Sequence, residues 1–195
     1  MPFDSKLTLV DRKGRKYLTA DERQRFLHAA RQAEHPEVQT LALMLTYTGC
    51  RISEALELRM CDIDLNRSVV NIQSLKRRSE VWREVPIPSE FARELELTHQ
   101  LRRHQVAART RITRLWNFSR STAYRKITGL MAAANVSGTQ ASPKGLRHAF
   151  GIAAVEAGVP LPTIAAVLGH SSITTTAIYT TAVGKEAREL LQRMW

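Results

Sequence analysis

Cysteine is nearly absent from this 195-residue chain, which holds only Cys50 and Cys61. Two thiols make no disulfide framework and neither sits in metal-ligand spacing, so a stapled secreted scaffold and a zinc module are excluded and a reducing compartment is expected. Long apolar runs are missing too. No stretch approaches the roughly 18–20 residues of a membrane span, and the N-terminus lacks the apolar core of a signal peptide, so the chain reads as cytoplasmic. No repeat, low-complexity tract or Gly/Ser-rich linker divides it. Acidic side chains are scarce, with 18 Asp and Glu against 29 Lys and Arg and a formal net charge of +11. A surplus of that size draws polyanions, of which nucleic acid is the commonest. At 44% hydrophobic residues the chain can still bury a substantial core.

Local signals predict a mainly α protein with one small antiparallel sheet. Residues 1–18 are basic and weakly patterned, with DRKGRK as a turn, and read as an arm before a domain over 19–195. Thr19 and Glu22 have capping-box spacing and predict a helix over about 20–33. Pro36 suits the first turn of the next helix, apolar nearly all round, with Gly49 as its stop. A shorter helix opens at Arg51 in RISEALEL. The period then changes: SVVNIQSLKRRSEVWREVPIP predicts strands over about 68–75 and 81–87, a hairpin with Lys76 at its tip. Ser89 is expected to cap a helix to about 104, followed by a basic irregular stretch. A further helix starts at Ser121, and Ser142 with Pro143 caps the helix holding SPKGLRHAFG. Two short helices flank LGHSS, and GKEARELLQRMW gives a terminal amphipathic helix.

Lys144, Arg147 and His148 crowd into five positions with no carboxylate in SPKGLRHAFG to pair with them. Long charged side chains are almost never fully buried without a partner, so the cluster is either a solvated helix end or awaits an outside anion. Arg51 leaves the core at a helix N-terminus, where backbone N–H groups and a guanidinium fork suit a phosphate; the plainer reading is an ion pair with Glu54 on the same helix surface. Lys76 alone is an ordinary solvated lysine. His170 follows Gly169 at a helix stop, and Tyr179 lies in a Ser/Thr-rich segment with few apolar neighbours. A phenol titrates near pH 10, so a nucleophilic role for Tyr179 requires cations nearby.

The joint order of these residues carries more than any one of them. Arg in TGCRISEAL, Lys at a hairpin, K-x-x-R-H on a capped helix, LGH, then Tyr nine residues later: over about nine tenths of the chain, from residue 17 onward, this resembles the catalytic domain of the tyrosine recombinases, or phage integrase family. The resemblance implies the DNA breaking-rejoining catalytic fold and site-specific cutting and rejoining of duplex DNA through a covalent 3′-phosphotyrosine, with no metal and no cofactor. Carried over residue by residue, Tyr179 is the nucleophile, Arg51 and Arg147 grip the non-bridging phosphate oxygens, His170 adds a donor and Lys76 is the general acid. His148 supports the site and Glu54 orients a neighbour.

Two departures qualify the match. Position 144 is usually histidine in the family and here is lysine, which points Lys144 to phosphate binding. Most members also carry a DNA-clamping domain ahead of the catalytic one, and about eighteen residues stand there, as in the minimal recombinases that invert fimbrial promoters or in an isolated catalytic domain. The catalytic domain would then hold DNA through Arg102, Arg103, Arg109, Arg111, Arg114, Arg120, Arg125 and Lys126, interleaved with Trp116 and Tyr124. The implied assembly is a homotetramer on synapsed DNA, joined through the C-terminal helix, with accessory DNA-bending proteins as further partners in a bacterial nucleoid, plasmid or phage setting. Two other readings stay open: a non-catalytic DNA-binding protein that retains the fold, and a type IB topoisomerase-like enzyme.

Overall fold

A computed structural model describes residues 9–11, 14–75 and 80–180. Helices dominate, beside a three-stranded antiparallel sheet. Chain order begins with a two-residue antiparallel strand pair, β1 (Val10–Asp11) and β2 (Gly14–Arg15); the residues between them, where DRKGRK was read as a turn, lie outside the described residues. Leu9 and Leu18 are buried, one in each of the two apolar clusters of the core. Helix α1 (Ala20–Arg31) starts at the expected capping box, with Glu22 N–H donating to Thr19 Oγ1 at 3.2 Å and Thr19 N–H donating to the Glu22 carboxylate at 2.8 Å. Helix α2 (Pro36–Thr48) is the centre of the core. Leu41, Ala42, Leu43, Met44 and Leu45 are all buried, because α1, α4 (Ser89–His99) and α7 (Pro143–Glu156) pack around it.

The sheet follows α3 (Ile52–Glu57) and a 3-10 turn at Met60–Asp62. Strands β4 (Val69–Gln73) and β5 (Trp82–Pro86) form the expected hairpin, with Val70 opposite Val85 and Ile72 opposite Arg83. A third strand, β3 (Ile63–Asp64), flanks β4; at two residues it is too short to show a period in sequence. Lys76 and its neighbours 77–79 lie outside the described residues.

Two expectations need correction. Ser89 is the first helical residue of α4, and Pro88 is the cap. The long helix to 104 is two helices, α4 and α5 (Leu101–Val106), broken at Gln100, which stands in the left-handed region at φ 50°. Beyond α5 the basic stretch is irregular yet pinned: backbone bonds join Cys61 N–H to Arg111 C=O, Met60 N–H to Thr113 C=O and Leu115 N–H to Leu58 C=O. Trp116 ends this run inside the core rather than beside the arginines on the surface. Its indole N–H donates to Thr40 Oγ1 at 3.2 Å and its ring meets His99 edge-on. The remaining helices are α6 (Arg120–Ala133), capped by Ser119, then α7, capped by Ser142 as expected, α8 (Leu161–Leu168) and α9 (Thr174–Ala177). Residues 181–195, where the terminal amphipathic helix was expected, lie outside the described residues. Among the described residues no helix is long and apolar enough to cross a membrane.

Trp116 anchors the basic stretch, so Trp116→Ala is expected to destabilise the fold by about 3–5 kcal/mol, the usual cost of emptying a large aromatic site. Urea unfolding followed by circular dichroism measures it. A loss below about 1 kcal/mol would mean that the indole is not a core element.

Candidate active site

The site starts where α2 stops. Gly49 takes φ 60°, and a side chain there would also meet Phe150 and Leu168 at under 3 Å, so glycine is needed for both backbone and space. Cys50 then turns inward, its thiol pushed up to about 11 by burial and therefore inert. Arg51 is the N-cap of α3, and Glu54 reaches back to it: the Arg51 backbone N–H donates to Glu54 Oε2 at 3.0 Å and Arg51 Nη1 donates to Oε1 at 2.7 Å. The plain ion pair is therefore present, but it is not a surface pair. The Glu54 side chain is 0% exposed and that of Arg51 26%, so the carboxylate is a buried seat for a guanidinium that still faces solvent. Burial raises the Glu54 pKa, yet the Arg83 charge and the hydrogen bonds from Arg51 and Arg83 bring it below the usual value.

The second half of the site is built on the end of α8. The last carbonyls of a helix have no partner within it. Here two arginines take them: Arg147 Nη2 donates to Leu168 C=O at 2.7 Å and Arg83 Nε donates to Val167 C=O at 2.7 Å. Arg147 Nη1 also donates to Gly49 C=O at 2.9 Å, which ties α7 to the α2–α3 junction. Arg147 is buried, at 6% exposure, and its pKa is lowered to about 10 by burial first and by the Arg51 charge second. Three guanidinium groups thus crowd around one carboxylate. The result is a local excess of positive charge, which an anion could neutralise.

Tyr179 corrects the sequence reading. Its ring is 1% exposed, packed with Leu9, Ile152, Ile164 and Leu168, none of them adjacent in sequence. Gly151 makes the space, since a Cβ there would stand 2.5 Å from the ring. The hydroxyl lies 3.4 Å from His148 Nδ1, and the ring stacks at 6.3 Å on that of His170. His170 Nδ1 lies 2.8 Å from the Thr176 hydroxyl oxygen. Burial raises the Tyr179 pKa, and the Arg147 and Arg51 charges only partly counter it, so the phenol is protonated in this state. Both histidines are lowered to about 4 by burial first, helped by Lys144, Arg147 and Lys16 at His148 and by Arg147 and Arg51 at His170. They are neutral at pH 7.

Of the expected site residues, Arg51, Glu54, Arg147, His148, His170 and Tyr179 come together. Lys144 stands exposed on the first turn of α7, one turn before His148. Lys76 is outside the described residues. The arginines of the basic stretch are exposed, although Arg114 is paired with Glu57 at 2.5 Å, and the Lys126 ammonium sits over the Phe118 ring. Tyr124 is 46% exposed. No group of three or more His, Cys, Asp and Glu that could hold a metal occurs among the described residues.

Arg83 and Gly151 were not picked out from the sequence. For Arg83 a signal exists: along β5, Trp82, Glu84 and Pro86 face out, which puts Arg83 on the inner face beside Val85. Gly151, in the middle of a helix, had no signal beyond its poor helix propensity.

Residues 16–186 match the model of the phage integrase family. The chain is similar to the tyrosine recombinase XerA of Pyrococcus furiosus, 28% identical over 158 residues that cover 78% of this chain and 53% of that protein. A resolvase of Escherichia coli K12 is 30% identical, with 85% of this chain and 70% of the relative covered. The crystal structure of XerA recombinase superposes with a TM-score of 0.73 at 29% identity, over 91% of this chain and 64% of that one. The chain therefore spans little more than half of one XerA relative and just under two thirds of the other.

The neutral histidines make stability depend on pH. An unfolded histidine takes its proton near pH 6.5, whereas His148 and His170 do so only near 4 when folded. Between those values the unfolded chain binds more protons, so stability is full above about pH 6.5 and falls as pH drops toward 4, by at most about 1.4 kcal/mol per pH unit for each histidine. Urea unfolding at pH 7 and pH 5 measures the slope; His148→Gln with His170→Gln should lower it and leave the share of His99, which burial also lowers to about 4. A stability that does not change with pH over this range would contradict the burial of both rings.

Proposed function

The chain belongs to the phage integrase family, and from that premise we propose that it cuts and rejoins duplex DNA at specific sites through a covalent 3′-phosphotyrosine on Tyr179. Its fold is the tyrosine recombinase catalytic fold. The observation that carries the proposal is the convergence of Arg51, Arg147, His170 and Tyr179 around the end of α8. A phosphodiester placed there supplies the anion that three guanidinium groups and one carboxylate leave wanting.

In this reading Arg51 and Arg147 donate to the non-bridging oxygens, whose charge redistributes as phosphorus becomes five-coordinate, and His170 adds a third donor. Tyr179 Oη forms a bond to phosphorus as it gives up its proton, with His148 Nδ1 at 3.4 Å as a neighbouring acceptor. The P–O5′ bond breaks, and Lys76 protonates the leaving oxygen. Because the Tyr179 ring is packed in an apolar seat, it must shift to bring Oη to phosphorus, with the hydroxyl staying beside His148 as it gives up its proton. DNA binding and chemistry are thereby separate steps. Lys144, exposed one turn before His148, serves the DNA backbone, as do Arg102, Arg103, Arg109, Arg111, Arg120, Arg125 and Lys126; Arg114 contributes less because Glu57 neutralises it. The working unit is a homotetramer on two synapsed sites, assisted by DNA-bending proteins, and the domain proper runs over 19–195 behind the basic arm.

Incubated with sheared duplex DNA of the source genome, the chain is expected to form an SDS-resistant protein–DNA adduct that Tyr179→Phe abolishes. An undiminished adduct in that variant would overturn the assignment of the nucleophile.

A further inference from the structure

We propose that Arg83 is a positioning residue for this reaction: without touching DNA, it sets where Arg51 and the His170 segment stand, and so sets the rate of cleavage. The proposal rests on the recombinase reading of the site. Each nitrogen of the Arg83 guanidinium is committed to a different element. Nη2 donates to Glu54 Oε2 at 2.7 Å on α3, Nη1 donates to Ser74 Oγ at 2.9 Å just past β4, and Nε donates to the Val167 carbonyl at 2.7 Å on α8. The side chain is 7% exposed. All three of its nitrogens already donate to protein acceptors, whereas Arg147 commits only its two Nη atoms, so Arg83 serves the protein rather than a phosphate.

Each of these acceptors stands next to a residue with a role. Glu54 seats Arg51 through its other oxygen. Val167 lies three residues before His170, and Gly169 between them runs so close that an added Cβ would stand 3.0 Å from Arg83 Nη1. Ser74 is two residues before Lys76 in the chain. A plain stabilising contact would not need this fork, because a buried ion pair can commonly be replaced by apolar side chains of similar volume with no loss of stability. What apolar groups cannot do is hold three polar groups at fixed directions around one plane. Lysine cannot do so either, since its ammonium is a single point on a flexible stem.

Glu54 is faced by Arg51 and Arg83, with Arg147 and Cys50 within electrostatic reach. Without Arg83, the burial that favours the protonated carboxyl would be opposed mainly by Arg51, and Arg51 would lose its seat as the carboxyl protonates.

The test uses the full chain and the duplexes that the wild type captures covalently from sheared source-genome DNA. For Arg83→Gln and Arg83→Lys, single-turnover cleavage is expected to fall about 10- to 100-fold, the scale of a small misplacement of a catalytic group, while retention of the same duplex changes by less than about 3-fold. Cleavage should also acquire an acid limb that the wild type lacks. In parallel, NMR titration of Glu54 and His170 in the DNA-free chain reads the same claim without any cutting. The Glu54 midpoint should rise by about one pH unit or more in Arg83→Gln, and the His170 midpoint should shift. If the wild type forms no adduct but both midpoints move, the recombinase reading fails and the positioning role stands. Unmoved midpoints, wild-type cleavage by the variants, or parallel loss of binding and cleavage with an unchanged pH profile would each overturn it. If Arg83→Gln does not fold, Arg83→Lys, which keeps the charge but not the fork, decides on cleavage against retention and on the His170 midpoint.

Discussion

A carboxylate buried without exposure is the constraint on which the rest of the site depends. Glu54 would be costly to bury alone, and it is tolerable only because Arg51 and Arg83 each hold one of its oxygens. The same arginines cannot be satisfied by it completely, because Arg147 adds a third guanidinium nearby, and the lowered Arg147 pKa of about 10 reports the strain of burial beside like charge. Backbone carbonyls of Gly49, Val167 and Leu168 absorb part of that demand as neutral acceptors. They supply dipoles and no net charge. The fold has therefore built a cationic corner of three guanidinium groups around one carboxylate, with positive charge left over.

Tyr179 is arranged by the opposite physics. Its ring is packed as a core residue, so desolvation outweighs the cations and keeps the phenol protonated. A phosphate entering the corner would neutralise the arginines and weaken still further what little they do to favour the phenolate. In the proposed reaction the cationic corner is thus ready in the DNA-free chain, while Tyr179 is stored in the core beside it at the cost of a movement before attack.

How much of this could be read from the sequence follows the range of the interactions. The Thr19–Glu22 capping box, the Gly49 stop, the Ser142 cap and the β4–β5 hairpin depend on residues a few positions apart, and each was legible. The grouping of Arg51, Arg147, His170 and Tyr179 was legible only through their family order, because their contacts join positions up to about a hundred residues apart. The burial of Trp116 against Thr40, and of Tyr179 against Leu9 and Ile164, had no local sign; in a basic or Ser/Thr-rich stretch both rings look exposed. The break at Gln100 was invisible for another reason, since a non-glycine residue at positive φ carries no sequence mark. Arg83 is legible in principle from strand alternation, but one arginine beside a basic turn carries no local mark of the three partners that the fold brings to it.

In the proposed reaction Arg51 acts by neutralising charge on the scissile phosphate rather than by holding DNA. The most direct test gives Arg51→Ala a duplex whose scissile linkage is a methylphosphonate, in which one charged non-bridging oxygen is replaced by a neutral methyl group. The variant, defective on ordinary DNA, is expected to form the Tyr179 adduct on this neutral linkage at a rate approaching that of the wild type. A variant that stays as defective on the methylphosphonate as on the phosphodiester, while the wild type cuts both, would contradict it.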